Sequence, residues 1–288
     1  MKVYVAEGSG FCFGVKRAMD LAFKYARDNR DKKVYSLHEI IHNPQEVKRL
    51  EKAGARHAEK ISGIAKGAAA IISTHGVTKQ EEEALKEKCA AVLDTTCPYV
   101  RKIHNIVKKL ADEKYQVIIA GDADHLEVRS ILGYAGADAV VVAKAQDVPA
   151  LKLKEKVGIV SQTTQNMDAY LGLINEVQKK AFVNRYSEVR SFNTICDATK
   201  NRQAATLALA KKVDVLIIVG GRNSANTKRL FELGKTVLSD VYHVEGAGEI
   251  KKEWFGGKKA AGVSAGASTP ERAIIAAVKR IKLIGENG

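Results

Sequence analysis

The stretch Leu93-Asp94-Thr95-Thr96-Cys97-Pro98-Tyr99-Val100 reads as the end of a strand, then a cysteine, then a proline that opens a helix. Proline suits the first helical position because the amide it lacks has no partner there. Cys97 is therefore placed at or beside a helix cap, where unpaired amides and the positive end of the helix dipole favour a thiolate. The thiolate is the form that ligates metal or attacks an electrophile. The chain repeats this turn. A strand at Lys2 to Ala6 leads through Glu7-Gly8-Ser9-Gly10-Phe11-Cys12-Phe13-Gly14 into a helix from about Val15, with Val15, Ala18, Met19, Ala22 and Tyr25 on one face. Cys196 opens a third helix, from about Ala198 to Lys211.

Between the cysteines, apolar strands alternate with helices, and each strand runs into a polar loop. Lys33 to Leu37 leads to His38-Glu39-Ile40-Ile41-His42-Asn43-Pro44, and Ala68 to Ile72 leads to Ser73-Thr74-His75-Gly76. Gln116 to Ala120 ends in Gly121-Asp122-Ala123-Asp124-His125-Leu126-Glu127, and Lys156 to Val160 ends in Ser161-Gln162-Thr163-Thr164. Val213 to Val219 ends in Gly220-Gly221-Arg222-Asn223-Ser224-Ala225-Asn226, and Lys259 to Val263 in Ser264-Ala265-Gly266-Ala267-Ser268-Thr269-Pro270. The offsets line up. His42 and His75 lie 30 and 63 residues after Cys12, His125 and Thr163 28 and 66 after Cys97, and Ser224 and Ser268 28 and 72 after Cys196. Each unit reads strand, cysteine, helix, strand, polar loop, helix, strand, polar loop, helix. Residue identity between units is negligible, so the repeat is architectural. The expected division is 1–96, 97–195 and 196–288, an α/β fold of three similar units with small parallel sheets. Ligands of such sheets collect beyond the carboxyl ends of the strands, where every one of these loops lies.

The bulk numbers narrow the class. In 288 residues, 45% are hydrophobic, ample for a core, and no apolar run spans a bilayer. The first residues lack the apolar core of a signal peptide, so the expectation is a soluble, cytoplasmic protein. Four scattered cysteines do not make a disulfide framework. The net charge of +14 raises nucleic acid, but the lysines are spread and aromatics are only 6%, which leaves little for base stacking. An anionic small substrate or an acidic protein partner suits the charge equally.

Three thiolates on three helix-opening turns can hold three corners of a cubane iron–sulfur cluster, leaving the fourth iron open as a Lewis acid. The bland alternative is three unrelated buried cysteines. Structural zinc would show close cysteine pairs, and C-x-x-C is absent. Cys89, in a charged helix end, reads as structural. His42, His75, His125, Ser224, Asn226 and Ser268 offer imidazole, hydroxyl and amide donors beside helix N-termini, a set suited to phosphate or diphosphate. His38, His57, His104 and His243 do not share that placing. Glu127 reads either as a proton donor or as a first-turn glutamate facing the helix dipole, and Thr163 and Thr164 read equally as helix caps. His125-Leu126-Glu127 matches the H-x-E of zinc deaminases, but their P-C-x-x-C is missing. No Walker loop or complete G-x-G-x-x-G supports a nucleotide.

Eight ordered motifs together resemble the 4-hydroxy-3-methylbut-2-enyl diphosphate reductase family. They are Gly10-Phe11-Cys12-Phe13-Gly14-Val15, His38-Glu39-Ile40-Ile41-His42-Asn43, Thr74-His75-Gly76-Val77, Asp94-Thr95-Thr96-Cys97-Pro98, His125-Leu126-Glu127-Val128, Gln162-Thr163-Thr164, Asn223-Ser224-Ala225-Asn226 and Ala265-Gly266-Ala267-Ser268. The resemblance covers essentially the whole chain. It implies three units in pseudo-threefold arrangement around one [4Fe-4S] cluster, ligated by Cys12, Cys97 and Cys196, with one open iron for the substrate hydroxyl. It implies diphosphate contacts from His42, His75, His125, Ser224, Asn226 and Ser268, a substrate contact from Thr164, and protons from Glu127 assisted by Thr163. The implied reaction is reductive dehydroxylation of the hydroxylated diphosphate to isopentenyl and dimethylallyl diphosphate, the last step of the methylerythritol phosphate route to isoprenoids. Electrons would come from a small acidic carrier such as ferredoxin or flavodoxin, with neither nucleic acid nor membrane as partner.

Two residues depart from the family pattern. Ala225 stands where a second serine is common, and Leu126 where proline is usual. Neither is a cluster ligand, so altered affinity is expected and not lost activity. The rival enzyme class is a three-unit cluster protein of the quinolinate synthase type, whose motifs are not found, and the non-enzyme rival is a basic nucleic-acid-binding protein. Gly133, Gly136 and Gly158 are expected to leave room for closure on a substrate.

Overall fold

The computed structural model describes residues 1–183 and 187–286. The chain opens with β1 (Lys2–Val5) and α1 (Phe13–Asp28), followed by β2 (Val34–Leu37), α2 (Pro44–Lys52), β3 (Ala55–Ala58), β4 (Ala69–Ile72), α3 (Lys79–Lys88) and β5 (Ala91–Asp94). Next come α4 (Pro98–Asp112), β6 (Gln116–Ala120), α5 (Leu126–Leu132), β7 (Val140–Val142), β8 (Lys156–Ser161), α6 (Met167–Ala181) and β9 (Glu188–Ser191). The last stretch holds α7 (Asp197–Ala210), β10 (Val215–Val219), α8 (Ala225–Lys235), β11 (Val241–Val244), β12 (Ala260–Ala265) and α9 (Glu271–Glu286).

These strands form three four-stranded sheets, ordered β3-β2-β4-β5, β7-β6-β8-β9 and β11-β10-β12-β1. Every pairing is parallel. The expected α/β class with three similar units is therefore the observed one. One assignment changes. Sequence order grouped β1 with the segment 1–96, but its register, Lys2↔Ala260 through Val5↔Val263, makes it the edge of the third sheet. It occupies there the place that β5 and β9 occupy in the other two. Each sheet so ends in a strand that delivers the next cysteine: β5 to Cys97, β9 to Cys196 and β1 to Cys12.

The chain divides into two compact units. One comprises Met1–Lys16, His42–Gln45 and Asp197–Gly288; the other comprises Arg17–Ile41 and Glu46–Cys196. The first holds the third sheet. Along β10, Val215, Ile217 and Val219 face a core with Ile274, Ala277 and Ile281 of α9, while Leu216 and Ile218 face Leu209 of α7 and Leu230 of α8. This period-two split, with both faces apolar, is what a helix-covered parallel strand requires. The second unit repeats the scheme. In β6, Val117 and Ile119 meet Ile103, Val107 and Leu110 of α4, and Ile118 meets Tyr170, Leu173 and Val177 of α6.

Two of the glycines expected to leave room for motion are instead points of close packing. A Cβ at Gly158 would lie 2.6 Å from Leu110 Cδ1, and one at Gly133 would lie 2.5 Å from Thr78 Cβ. Cys89 ends α3, half-buried against the core of the first sheet, and burial pushes its thiol pKa up, as befits an inert structural cysteine. Among the described residues, no helix is long and apolar enough to cross a membrane.

Candidate active site

Within the unit that holds the first and second sheets, Cys97 is the N-cap of α4, with Pro98 as the first helical residue and no capping hydrogen bond from its side chain. Its amide donates to the carbonyl of Thr74 at 3.0 Å. Cys196 repeats the contact: its amide donates to the carbonyl of Thr163 at 3.1 Å. In the other unit, the amide of Cys12 donates to the carbonyl of Ala267 at 3.3 Å. Thr74, Thr163 and Ala267 occupy the loops after β4, β8 and β12, the equivalent strand of each sheet. One main-chain contact, repeated three times, fastens every cysteine turn to a polar loop.

The Cys97 turn is braced from behind. Asp94 Oδ1 accepts from Thr96 N at 2.8 Å and from Thr96 Oγ1 at 2.5 Å, and Arg101 bonds to Asp94 Oδ2. Arg101 also reaches Glu82 at 3.4 Å, where Tyr134 Oη donates at 2.8 Å. Burial works to raise the Glu82 carboxyl, but the hydrogen bonds from Lys86 and Tyr134, with nearby Arg101, outweigh it and hold its pKa at about 2.

Glu127 is 4% exposed and points inward. Its Oε1 accepts from Thr163 N at 2.6 Å and its Oε2 from Thr163 Oγ1 at 2.8 Å. Thr163 thus holds the carboxylate with its donors and Cys196 with its carbonyl. The capping role considered for Thr163 and Thr164 falls to another residue: Asn166 caps α6, accepting from Ala169 N at 3.0 Å. Thr164 lies half-buried next in the chain to Thr163. His125 caps α5 by accepting from Glu127 N at Nδ1, 3.1 Å. A neutral imidazole that accepts at Nδ1 carries its proton on Nε2, so His125 presents an N–H donor. His75 is 8% exposed and meets His125 edge to face, with ring centroids 5.6 Å apart.

The unit of the third sheet gathers the remaining residues at the ends of β10 and β12. Ser224 caps α8, its Oγ accepting from Thr227 N at 3.3 Å. Asn226 is 5% exposed, yet neither Oδ1 nor Nδ2 has a partner among the described residues. An unsatisfied buried amide costs free energy unless a ligand completes it. The loop His42–Gln45 packs here: Asn43 Nδ2 donates to the carbonyl of Ser268 at 2.9 Å. A Cβ at Gly221 would lie 2.7 Å from the His42 carbonyl oxygen, so only glycine admits this approach. At Cys12, Val15 N donates to Sγ at 3.5 Å.

Sequence reading did not single out Asn43, Asp94, Arg101 or Arg202. Arg202, on α7, is 3% exposed and donates to the carbonyls of Gly8 at 3.0 Å and Gly10 at 2.9 Å, gripping the loop before Cys12. The available signal was weak: it is the sole charge between Lys200 and Lys211. Within either unit, no group of three or more His, Cys, Asp or Glu among the described residues is arranged to hold a metal ion; Cys12 belongs to one unit, Cys97 and Cys196 to the other.

Parallel sheets whose strand ends carry cysteine turns, histidines, hydroxyls and a clasped carboxylate define the class: an α/β protein whose polar groups collect beyond the carboxyl ends of its strands. The chain belongs to the LytB protein family, whose sequence profile matches residues 3–282. It is 43% identical to the 4-hydroxy-3-methylbut-2-enyl diphosphate reductase of Campylobacter lari over 283 residues, 98% of each chain. It is 42% identical to that of Aquifex aeolicus over 287 residues, 99% of this chain and 97% of the other. Among solved structures it resembles an (E)-4-hydroxy-3-methyl-but-2-enyl diphosphate reductase described as the terminal enzyme of the non-mevalonate pathway, at 42% identity and TM-score 0.70, covering 98% of this chain and all of that one. The Plasmodium falciparum E-1-hydroxy-2-methyl-but-2-enyl-4-diphosphate reductase matches with TM-score 0.88 at 29% identity, over 98% of this chain and 87% of that one. Membership sets aside the quinolinate-synthase-type alternative.

Proposed function

We propose that this chain is a 4-hydroxy-3-methylbut-2-enyl diphosphate reductase. Two electrons and two protons remove the substrate's hydroxyl as water and leave isopentenyl and dimethylallyl diphosphate. The observation that carries this reading is the threefold contact between cysteine amides and strand-end carbonyls. It supports the reading because it gives each cysteine's main chain the same position in its sheet, beside a loop to which we assign diphosphate or proton contacts.

The family is one of iron–sulfur enzymes, and the donor set here fits such a cofactor. The three cysteines open helices, Cys97 spends no hydrogen bond on capping, and Cys12 Sγ faces an amide. Cys12, Cys97 and Cys196 are the ligands we assign to one [4Fe-4S] cluster. When bound, the cluster supplies single electrons and an iron corner not ligated by protein. The division into 1–96, 97–195 and 196–288, each carrying one ligand, is the domain organisation we propose, with β1 closing the third sheet.

His42, His75, His125, Thr164, Ser224, Asn226 and Ser268 bind and orient the substrate. His125 offers Nε2–H, and the diphosphate oxygens accept from the buried Nδ2 of Asn226. Protons pass through Glu127. Its Oε1 is held by a main-chain amide that can only donate, so the mobile proton resides on Oε2. When Oε2 is protonated, the Thr163 hydroxyl turns to accept it and releases its own proton toward the substrate. The basic surface suits an acidic carrier such as ferredoxin or flavodoxin as electron donor, and we place the enzyme in the cytoplasm.

Iron, sulfide and EPR analysis of anaerobically purified protein, with and without the hydroxylated diphosphate, tests the reading. A cubane whose signal changes with substrate, and turnover with a reduced donor, are the expected results. Protein that stays free of iron after reconstitution would overturn it.

A further inference from the structure

His75 and Glu127 come from different sheets: the first follows β4, the second lies in α5 after β6. Ser130, one helical turn beyond Glu127, links them. Its Oγ lies 2.7 Å from the carbonyl oxygen of His75 and 2.9 Å from that of Glu127. Nε2 of His104, on α4, lies 2.9 Å from the same oxygen. Both side chains are buried.

A hydroxyl has one proton, which settles the direction of these contacts. If Ser130 gave its proton to His104, its oxygen would face two carbonyl oxygens with no hydrogen between them. The alternative satisfies the set: His104 donates Nε2–H to Ser130, and Ser130 donates to the nearer carbonyl, that of His75. Nδ1 of His104 then carries a lone pair. It has no partner among the described residues, and an unpaired acceptor is tolerated better than an orphaned N–H. Burial, with Arg101 nearby, lowers the His104 pKa to about 4, so the ring is neutral at pH 7 and has a single N–H to place.

His104 is itself held in place. The Tyr134 ring stacks on it with centroids 4.4 Å apart. Gly76, next to His75, takes φ +73°, and a Cβ there would lie 2.8 Å from His104 Cε1. The imidazole therefore packs directly against the backbone of the His75 loop.

We propose that Ser130 and His104 are positioning residues that set the spacing between the His75 loop and α5, and with it the spacing of His75, His125 and Glu127. This rests on the reading of those three residues as diphosphate donors and proton carrier. Any displacement of the loop passes directly into the gap between the two imidazoles that are to grip one diphosphate.

The test is calorimetric titration of the anaerobically reconstituted full chain with inorganic diphosphate at pH 7.5. Wild type, Ser130→Ala, His104→Leu and His104→Gln are compared, with Tm measured alongside. The amide nitrogen of glutamine stands as many bonds from the backbone as histidine Nε2 and keeps a donor there. Ser130→Ala and His104→Leu are expected to weaken binding by about five- to tenfold, the scale of one lost hydrogen bond, with a matching rise in KM. His104→Gln is expected to restore most of that affinity. Unchanged diphosphate affinity in Ser130→Ala beside a lowered Tm would overturn the positioning role and leave the diphosphate site standing. Wild-type protein that binds no diphosphate would overturn the underlying reading, and this inference with it. Nitrogen-15 NMR of histidine-labelled wild type tests the arrangement without any variant: the Nε2–H tautomer of His104 is expected, and the Nδ1–H tautomer would overturn it.

Discussion

Removing the guanidinium of Arg202 is the sharpest test of how the Cys12 turn is held. That group gives Nε to the carbonyl of Gly8 at 3.0 Å, Nη2 to that of Gly10 at 2.9 Å and Nη1 to that of Ala198 at 3.2 Å. Ala198 lies in the first turn of α7, four residues before Arg202, where its carbonyl already has a helical partner. The loop carbonyls have no such ladder. Gly8 and Gly10 take φ +69° and +102°, outside any regular element, so their alignment depends on donors from elsewhere. Arg202→Met keeps an unbranched apolar stem and removes both donors. Gly10 is buried, and its carbonyl left unsatisfied costs about 1–3 kcal/mol, whereas Gly8 is exposed and its carbonyl turns to water. The variant no longer has to desolvate a charge, which offsets part of that cost. The net expectation is a loss of about 1–2 kcal/mol for Arg202→Met. Arg202→Lys, whose ammonium lacks the fork needed to reach both carbonyls, should lose about half as much, on the order of 0.5–1 kcal/mol. Urea unfolding measures the stability, and iron bound per chain reports on the Cys12 turn. A destabilisation within about 0.5 kcal/mol, the range of an ordinary surface change, together with full iron would refute this account of the loop.

Other substitutions probe the two departures from the family pattern. Leu126 is the first residue of α5, and His125 before it has φ −74° and ψ 133°, a conformation that tolerates a following proline. Leu126→Pro should therefore stabilise by about 0.4–1 kcal/mol through the unfolded chain, seen as a rise in Tm; a fall would mean that the leucine side chain, which lines a small cavity with His38 and Val77, matters more. Ala225→Ser adds a hydroxyl at the first position of α8, beside Ser224 and Asn226, and should lower KM about fivefold, roughly the effect of one added hydrogen bond. An unchanged KM would place residue 225 outside the diphosphate's reach. Burial of His104 makes stability pH-dependent with a definite sign. Its folded pKa of about 4 lies below the ordinary 6.5, so the unfolded chain binds the extra proton between these values. Its contribution is complete above pH 6.5 and is lost as pH falls toward 4, a change of about 2–3 kcal/mol that His104→Leu should abolish in urea titrations at pH 7.5 and 5.

Much of this architecture is legible in one dimension. The apolar runs of β4, β6, β8, β10 and β12 are, with β2, the central strands, and their composition reports their burial directly. Cys97-Pro98 announces a helix start because proline's fixed φ suits the first helical position and the amide it lacks is not needed there. The sheet edges β3, β7, β9 and β11 are weaker signals because they are so short, although β7 is Val140-Val141-Val142. They are three or four residues long, and Ala55-Arg56-His57-Ala58 has neither β-branched residues nor a continuous apolar face. Their own side chains still take part: Val142 of β7 and Val244 of β11 join the cores beneath their sheets.

What the sequence determined by itself was the repeat of cysteine, helix and strand-end loop, since residue types at helix starts and strand ends answer to local backbone chemistry. Family membership was readable for the same reason, in motifs of a few adjacent residues. The tertiary structure alone decided which distant groups meet. β1 closes the third sheet against β12, more than 250 positions away, and no local preference favours that edge over another. Thr163 clasps Glu127 across 36 residues, Ser130 reaches the His75 carbonyl across 55, and Arg202 spans 192 to Gly10. Hydrogen bonds of this kind depend on angles and on distances near 3 Å, which exist only once the helices and sheets have packed.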